Sequence, residues 1–305
     1  MGKHYDIVFI GHISRDIIIA PGQEETGTGG AVWYGAFAAA RAGANVAAVI
    51  RCAECDFPLL QPLRDAGAAV FPIAAPETTS IENRYHDASR ERRTCTSRGF
   101  AGQYAIAELP DISATVWHLS GLVRGEYDLE FMKHLAGRGA LSGDAQGFVR
   151  VVRNNNAMEF EDWPGKNAAL PLFTYFKTDA AEGEILTGET GVQKAAARLA
   201  SWGAREILLT HQGGALVHAD GAFHNTPFTA GNLSGRTGRG DTTMAAYRMG
   251  PRTPAASPPH WSPSKWKRRA RSRARCPMSL PACDIHPLHV AFRRALHGGG
   301  LPPAV

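Results

Sequence analysis

The chain has 305 residues, 44% hydrophobic and 20% charged, which permits one large globular domain or two small ones around a real core. No apolar stretch approaches the roughly 20 residues of a membrane-crossing helix, so a membrane protein of that kind is excluded. The net charge of +5 belongs to one end: residues 249–305 carry ten Lys and Arg against Asp284 alone, and the remainder is net −4.

The sequence runs from Met1-Gly2 straight into a strand, with no secretory signal, and Asp6 stands where an N-myristoylation signal carries Ser or Thr. Five cysteines, an odd number, argue for reduced thiols and a cytoplasmic setting. Cys52-x-x-Cys55 has redox or zinc spacing but no second pair nearby. It reads as two buried or half-buried thiols after a strand.

Residues 6–13 form a near-continuous apolar run, the pattern of a strand buried on both faces. Asp16 follows five residues after Gly11, a turn or cap residue on local grounds alone. Residues 21–28 are polar and glycine-rich and read as a loop. Gly29-Gly30 opens an alanine-rich helix over 31–42, stopped by Gly43. A strand at 45–50, a helix at 57–66 and a strand at 68–73 continue an alternation that signals a mainly parallel sheet with helices on both faces.

Residues 78–104 break the rhythm with two polar, β-prone stretches around a charged turn. A strand at 115–120 and a helix at 128–137 follow. Asp144-Ala145-Gln146 then puts polar groups at the C-terminal end of a strand, where ligands bind in such sheets. Residues 151–163, with Asn154-Asn155-Asn156, have an insert-like character and no assignable role. The strand at 173–179 ends in Lys177 and Asp179, with Glu182 on the same face at the start of a helix. The two carboxylates suit an N-cap and its box partner, or oxygen ligands for a magnesium ion that also takes phosphate. A helix at 192–203 leads to two strands around a Gly213-Gly214 turn. His211 beside it reads as structural.

Gly235-Arg236-Thr237-Gly238-Arg239-Gly240-Asp241-Thr242-Thr243 precedes an apolar run at 244–247. It reads as a glycine-rich turn opening a helix, with backbone amides gathered at the positive end of the helix dipole. That is an anion hole, and Asp241 in the first turn could accept a proton from a hydroxyl. Phosphoryl transfer needs both parts.

This stretch resembles the C-terminal signature of the ribokinase (PfkB) family of sugar and nucleoside kinases, usually Asp-Thr-x-Gly-Ala-Gly-Asp. Gly29-Gly30 through Arg41-x-Gly43 resembles the family's first signature, with Tyr34 at its Asn position. Lys177-x-Asp179-x-x-Glu182 resembles its Lys-x-Asn-x-x-Glu, and Asp144 to Arg150 a variant of its Asp-Pro-Asn-x-Arg strand end, with Gln146 for Asn. The resemblance covers the chain to about Gly250. It implies an α/β three-layer sandwich with a mainly parallel central sheet and a small β lid drawn from about 14–30 and 78–104. It further implies ATP-dependent phosphorylation of a hydroxyl on a sugar, polyol or nucleoside. Asp241 would be the base, while Gly238, Arg239 and Gly240 hold the developing charge. Asp16, Gly29, Gly30, Tyr34 and Gln146 would face the substrate. Lys177, Thr210, Gly213 and Thr237 would lie beside the nucleotide, and Asp179 and Glu182 would organise Mg2+. A homodimer through lid strands is compatible with the family.

Residues 251–305 depart from this pattern, holding ten of the 19 prolines and a basic run at 265–275. The family places sheet-covering helices and an adenine-holding loop there, which proline and arginine at this density cannot build. The segment reads as a frameshifted stretch of a GC-rich gene, or as a disordered nucleic-acid-binding arm. An active kinase is therefore the first reading, a ligand-binding kinase fold without catalysis the second, and a nucleic-acid binder the third.

Overall fold

The first apolar run lacks polar alternation because its strand is covered on both faces. β1 (Lys3–His12) sends Ile7 and Phe9 to one side of a sheet and Val8 and Ile10 to the other. The computed structural model describes residues 2–86, 93–228 and Met244. After β1 come β2 (Ser14–Ala20), β3 (Gln23–Gly29), α1 (Ala31–Arg41), β4 (Val46–Ala53), α2 (Gln61–Asp65) and β5 (Ala69–Ala75). Next are β6 (Ser80–Tyr85), β7 (Arg93–Gly99), β8 (Ile112–Leu119), α3 (Leu129–Ala136), β9 (Ala140–Asp144), α4 (Gln146–Val149), β10 (Arg150–Val152), β11 (Met158–Phe160) and α5 (Lys166–Ala169). Then follow β12 (Phe173–Asp179), α6 (Ala180–Thr187), α7 (Val192–Ser201), β13 (Glu206–His211), β14 (Gly214–Ala219) and β15 (Ala222–Pro227).

Nine strands form one sheet in the order β15-β14-β13-β12-β9-β8-β1-β4-β5. It is parallel from β5 to β13 and antiparallel beyond. α1 packs Val32, Trp33, Ala36 and Ala39 on one face, at helical spacing. α3, α6 and α7 cover the other with Phe131, Leu135, Leu186, Ala196 and Leu199. This is the expected α/β sandwich. The chain steps from β1 through β4 to β5 in one direction and from β8 through β9 to β12 in the other. The order therefore reverses between β1 and β8, and ligands bind at such a switch point, beyond the strands' C-terminal ends.

A second sheet, β3-β2-β6-β7, lies over that end. Residues 21–28 are not the expected loop. Only Pro21 and Gly22 turn, and β3 pairs antiparallel with β2 along its whole length. Its polarity is that of an edge strand whose side chains stand in solvent. The helix expected at 57–66 is split into a 3-10 stretch, Glu54–Leu60, and α2, with Pro58 inside the first and Pro62 opening the second. Cys52 is buried within β4, and burial pushes its thiol up to about 12. Cys55 is exposed rather than buried.

The insert-like stretch finds a place here. β10 and β11 form a hairpin, and Thr96 bridges Ala157 while the Ser97 amide donates to the Asn156 carbonyl at 2.8 Å. The hairpin thus docks on β7, the lid's other edge strand. Among the described residues, no helix is long and apolar enough to cross a membrane.

Candidate active site

The lid face that looks at the body is fixed by packing. Ile81 and Cys95 meet Ala31, Leu122 and Val123. Asp16 lies on the same face, since it pairs with Ile81 in register. Gly29 lies flush against its carboxylate: a Cβ there would sit 2.6 Å from Asp16 Oδ2 and 3.2 Å from Ser14 Oγ. Gly30 has φ 110, and a Cβ on it would meet the His12 carbonyl at 2.6 Å, so the di-glycine is required twice over. Burial raises the Asp16 pKa, opposed by a hydrogen bond from Ser14 and by the charges of Arg150 and Arg93.

Gly29 does not have a positive φ, so Gly29→Ala acts only by displacing that carboxylate. It is expected to raise KM for the acceptor about 10- to 100-fold with donor KM unchanged, measured by steady-state kinetics.

Arg150, the first residue of β10, was not among the residues expected at the site. It is 7% exposed, its guanidinium lies 5.3 Å over the Phe160 ring, and its buried Nε has no hydrogen-bond partner. Burial lowers its pKa. The carboxylates of Glu182 and Asp16 oppose that lowering and the charge of Arg93 reinforces it. Its place closing the Asp-x-Gln motif was the available signal, but its burial emerges only in three dimensions. A buried cation of this kind is costly unless a ligand or partner compensates it. Gln146 opens α4 half-buried, its amide donating to Asp144 Oδ1 at 3.2 Å.

At the end of β12, the Lys177 ammonium donates to Asp144 Oδ2 at 2.7 Å, both side chains under a tenth exposed. Lys177 is thereby engaged with Asp144. Asp179 caps α6 through Oδ1, which accepts from the Glu182 amide at 2.8 Å, while Glu182 Oε2 accepts from the Asp179 amide at 2.9 Å. Burial pushes Glu182 up to about 8, opposed by Lys177 and reinforced by Asp144 and Asp179. The capping box uses one oxygen of each carboxylate and leaves the other outside it. No group of three or more His, Cys, Asp or Glu is gathered for a metal among the described residues. That donor set suits a hard cation that keeps its waters and takes phosphate oxygens.

Thr210 pairs with Asp179 in register, and the Gly213 amide donates to His211 Nδ1 at 3.2 Å, so both lie at this end of the sheet. Tyr34 is half-buried and packs against the core beneath α1. Thr237, Gly238, Arg239, Gly240 and Asp241 lie outside the described residues, as does the tail. Met244, three residues after Asp241, is helical and buried against Leu208, Ala215 and Val217.

The crevice thus has Asp16 on the lid strand that follows β1, and the Lys177–Asp144 pair at the ends of β12 and β9, three and two strands from β1.

No protein-family model matches the chain. It is similar to a pyrophosphate-dependent kinase in the ribokinase family, solved with a pyrophosphate analog and myo-inositol, at 36% identity and a TM-score of 0.73, covering 79% of this chain and 85% of that one. The cytidine kinase of Thermococcus kodakarensis is 28% identical over 263 residues, 80% of this chain and 88% of that protein. Arabidopsis thaliana ribokinase, solved with ribose and ATP, shares the fold at 18% identity and a TM-score of 0.62, covering 81% of this chain and 85% of that one.

Proposed function

The chain belongs to the ribokinase family of kinases, and from that premise we propose that it phosphorylates a hydroxyl of a small polyol held between Asp16 and Arg150. The observation that carries this reading is the half-buried carboxylate of Asp16 with Gly29 flush against it, within the electrostatic influence of the buried Arg150. A carboxylate accepts from vicinal hydroxyls and a guanidinium donates to ring oxygens or to phosphate. The myo-inositol of the 36% identical relative makes a ring polyol the first acceptor to test, ahead of ribose and cytidine.

Asp241 takes the proton from the attacking hydroxyl, and the amides of Gly238 to Asp241, with Arg239, hold the charge that develops on the transferred phosphoryl group. Support comes from Met244, buried against the strand that carries Thr210. Asp179 and Glu182 are the residues that would hold Mg2+. When bound, the ion neutralises phosphate charge. Gln146 and Tyr34 border the acceptor, and Lys177, Thr210, Gly213 and Thr237 the donor.

ATP is the donor that the signatures imply. A second reading, pyrophosphate, rests on two observations. Residues 251–305, where the family has its adenine-holding elements, carry ten of 19 prolines, and the 36% identical relative is pyrophosphate-dependent. Pyrophosphate has no base to hold.

Incubation of the full chain with myo-inositol, ribose or cytidine, each with MgATP or Mg-pyrophosphate, followed by 31P NMR, tests both points. A phosphomonoester resonance with myo-inositol is expected. No product from any pair, in a chain that unfolds cooperatively, would leave a fold that binds without catalysing.

A further inference from the structure

Four stretches of chain connect body and lid, and they converge on two buried residues, His12 and Thr79. His12 ends β1 fully buried, with Ile13 alone between it and β2. Gly30, where β3 returns to α1, passes so close to the His12 carbonyl that a Cβ on it would sit 2.6 Å away. Thr79, which leads into β6, places Oγ1 2.8 Å from His12 Nδ1. Ala101, just beyond β7, donates its amide to the same Thr79 Oγ1 at 3.0 Å. The Arg15 amide on β2 donates to the Thr79 carbonyl at 2.9 Å, and Arg51 Nε holds the Ala101 carbonyl at 2.7 Å.

The Thr79 hydroxyl accepts from the Ala101 amide and pairs with His12 Nδ1 through its proton or its other lone pair. Burial lowers the His12 pKa, opposed by the Glu126 charge. Behind the ring stands Glu126, also fully buried, with Oε2 3.8 Å from Nδ1 and Oε1 accepting from the Leu122 and Val123 amides at 2.6 and 2.9 Å. The joint is therefore seated on the loop that follows β8, at the point where the strand order reverses.

We propose that Thr79 and His12 form the latch that sets the lid on the body, and that they act as positioning residues for Asp16. The Thr79 hydroxyl binds the outgoing lid strand, the returning one and the end of β1 together. Asp16 lies four residues beyond His12, on the strand whose amide is held by the Thr79 carbonyl. The hydroxyl seats Thr79, and the Thr79 carbonyl in turn holds the start of the strand that carries Asp16. The inference deepens the lid reading above, but its first test needs no substrate.

The test is amide hydrogen exchange on the full chain, comparing wild type, Thr79→Val and Thr79→Ser. Thr79→Val leaves the Ala101 amide and His12 Nδ1 without their partner. Exchange in lid strands 14–29, 80–85 and 93–99 is expected to accelerate about tenfold, the size of one net hydrogen bond, with β8 and β12 unchanged. Thr79→Ser restores the wild-type rates. With myo-inositol as acceptor, Thr79→Val raises acceptor KM and spares donor KM, as a displaced Asp16 demands. If Thr79→Val does not fold, His12→Phe, which keeps a ring beside Phe100 and removes Nδ1, gives the same lid-only acceleration. Exchange that rises equally in lid and body, or does not change in the lid, overturns the proposal. Lid acceleration without phosphorylation of myo-inositol sustains the latch and removes only the acceptor.

Discussion

Lys177→Met is expected to destabilise the fold by about 3–5 kcal/mol, the usual cost of leaving a buried charge without its partner. Lys177 and Asp144 lie on adjacent parallel strands with 2.7 Å between ammonium and carboxylate, at 9% and 4% exposure. Burial raises the Glu182 pKa, and the Lys177 charge and the hydrogen bond from the Asp179 amide oppose that rise. Methionine matches the aliphatic stem and removes only the cation, so Asp144 must either stay charged without compensation or take up a proton. Urea denaturation of the full chain reads the loss. The double variant Lys177→Met with Asp144→Leu is expected to recover most of it, because exchanging both members of a buried pair for apolar side chains is often neutral or better. A loss under about 1 kcal/mol for the single variant would show that water reaches the pair and screens it.

That pair also marks what the sequence could and could not disclose. Asp179 and Glu182 were legible as a capping box because the interaction is local, three residues apart on one helix start. Asp144 and Lys177 are 33 residues apart, and only the adjacency of β9 and β12 brings them together. The parallel strands were legible for a physical reason: burial on both faces removes polar alternation, and the run from Ile7 to Ile10 shows that signature. β3 was not, because an edge strand built from Gln23, Glu24, Glu25, Thr26 and Gly27 has a loop's composition, and pairing with β2 is a tertiary property. The hairpin at Arg150 to Phe160 looked like an insertion for the same reason, since its role is to dock on β7. Arg150 closes the stretch that begins at Asp144, yet nothing local says that its guanidinium will be buried with Nε unpaired.

Asp241→Asn is expected to lower kcat for phosphorylation by about 10²- to 10⁴-fold, the contribution of a positioned general base. The amide keeps the carboxylate's shape and cannot accept the hydroxyl proton. Acceptor and donor KM should change little, and thermal stability should stay within about 0.5 kcal/mol, as for a substitution that breaks no packing. The proposed mechanism draws rate from two sources, the Asp241 carboxylate and the amides of Gly238, Arg239 and Gly240, and this variant removes only the first. Residual turnover in Asp241→Asn therefore measures what the anion hole supplies alone. The pH profile separates them further: if Asp241 is the base, the acid limb of kcat present in the wild type disappears in the variant, because no titrating acceptor remains. Asp16→Asn gives the contrast: under the proposed role of binding the acceptor hydroxyls, it raises acceptor KM and keeps the acid limb. Full activity in Asp241→Asn, in a chain that phosphorylates myo-inositol, would move the base to another residue and leave the glycine-rich turn as an anion site only.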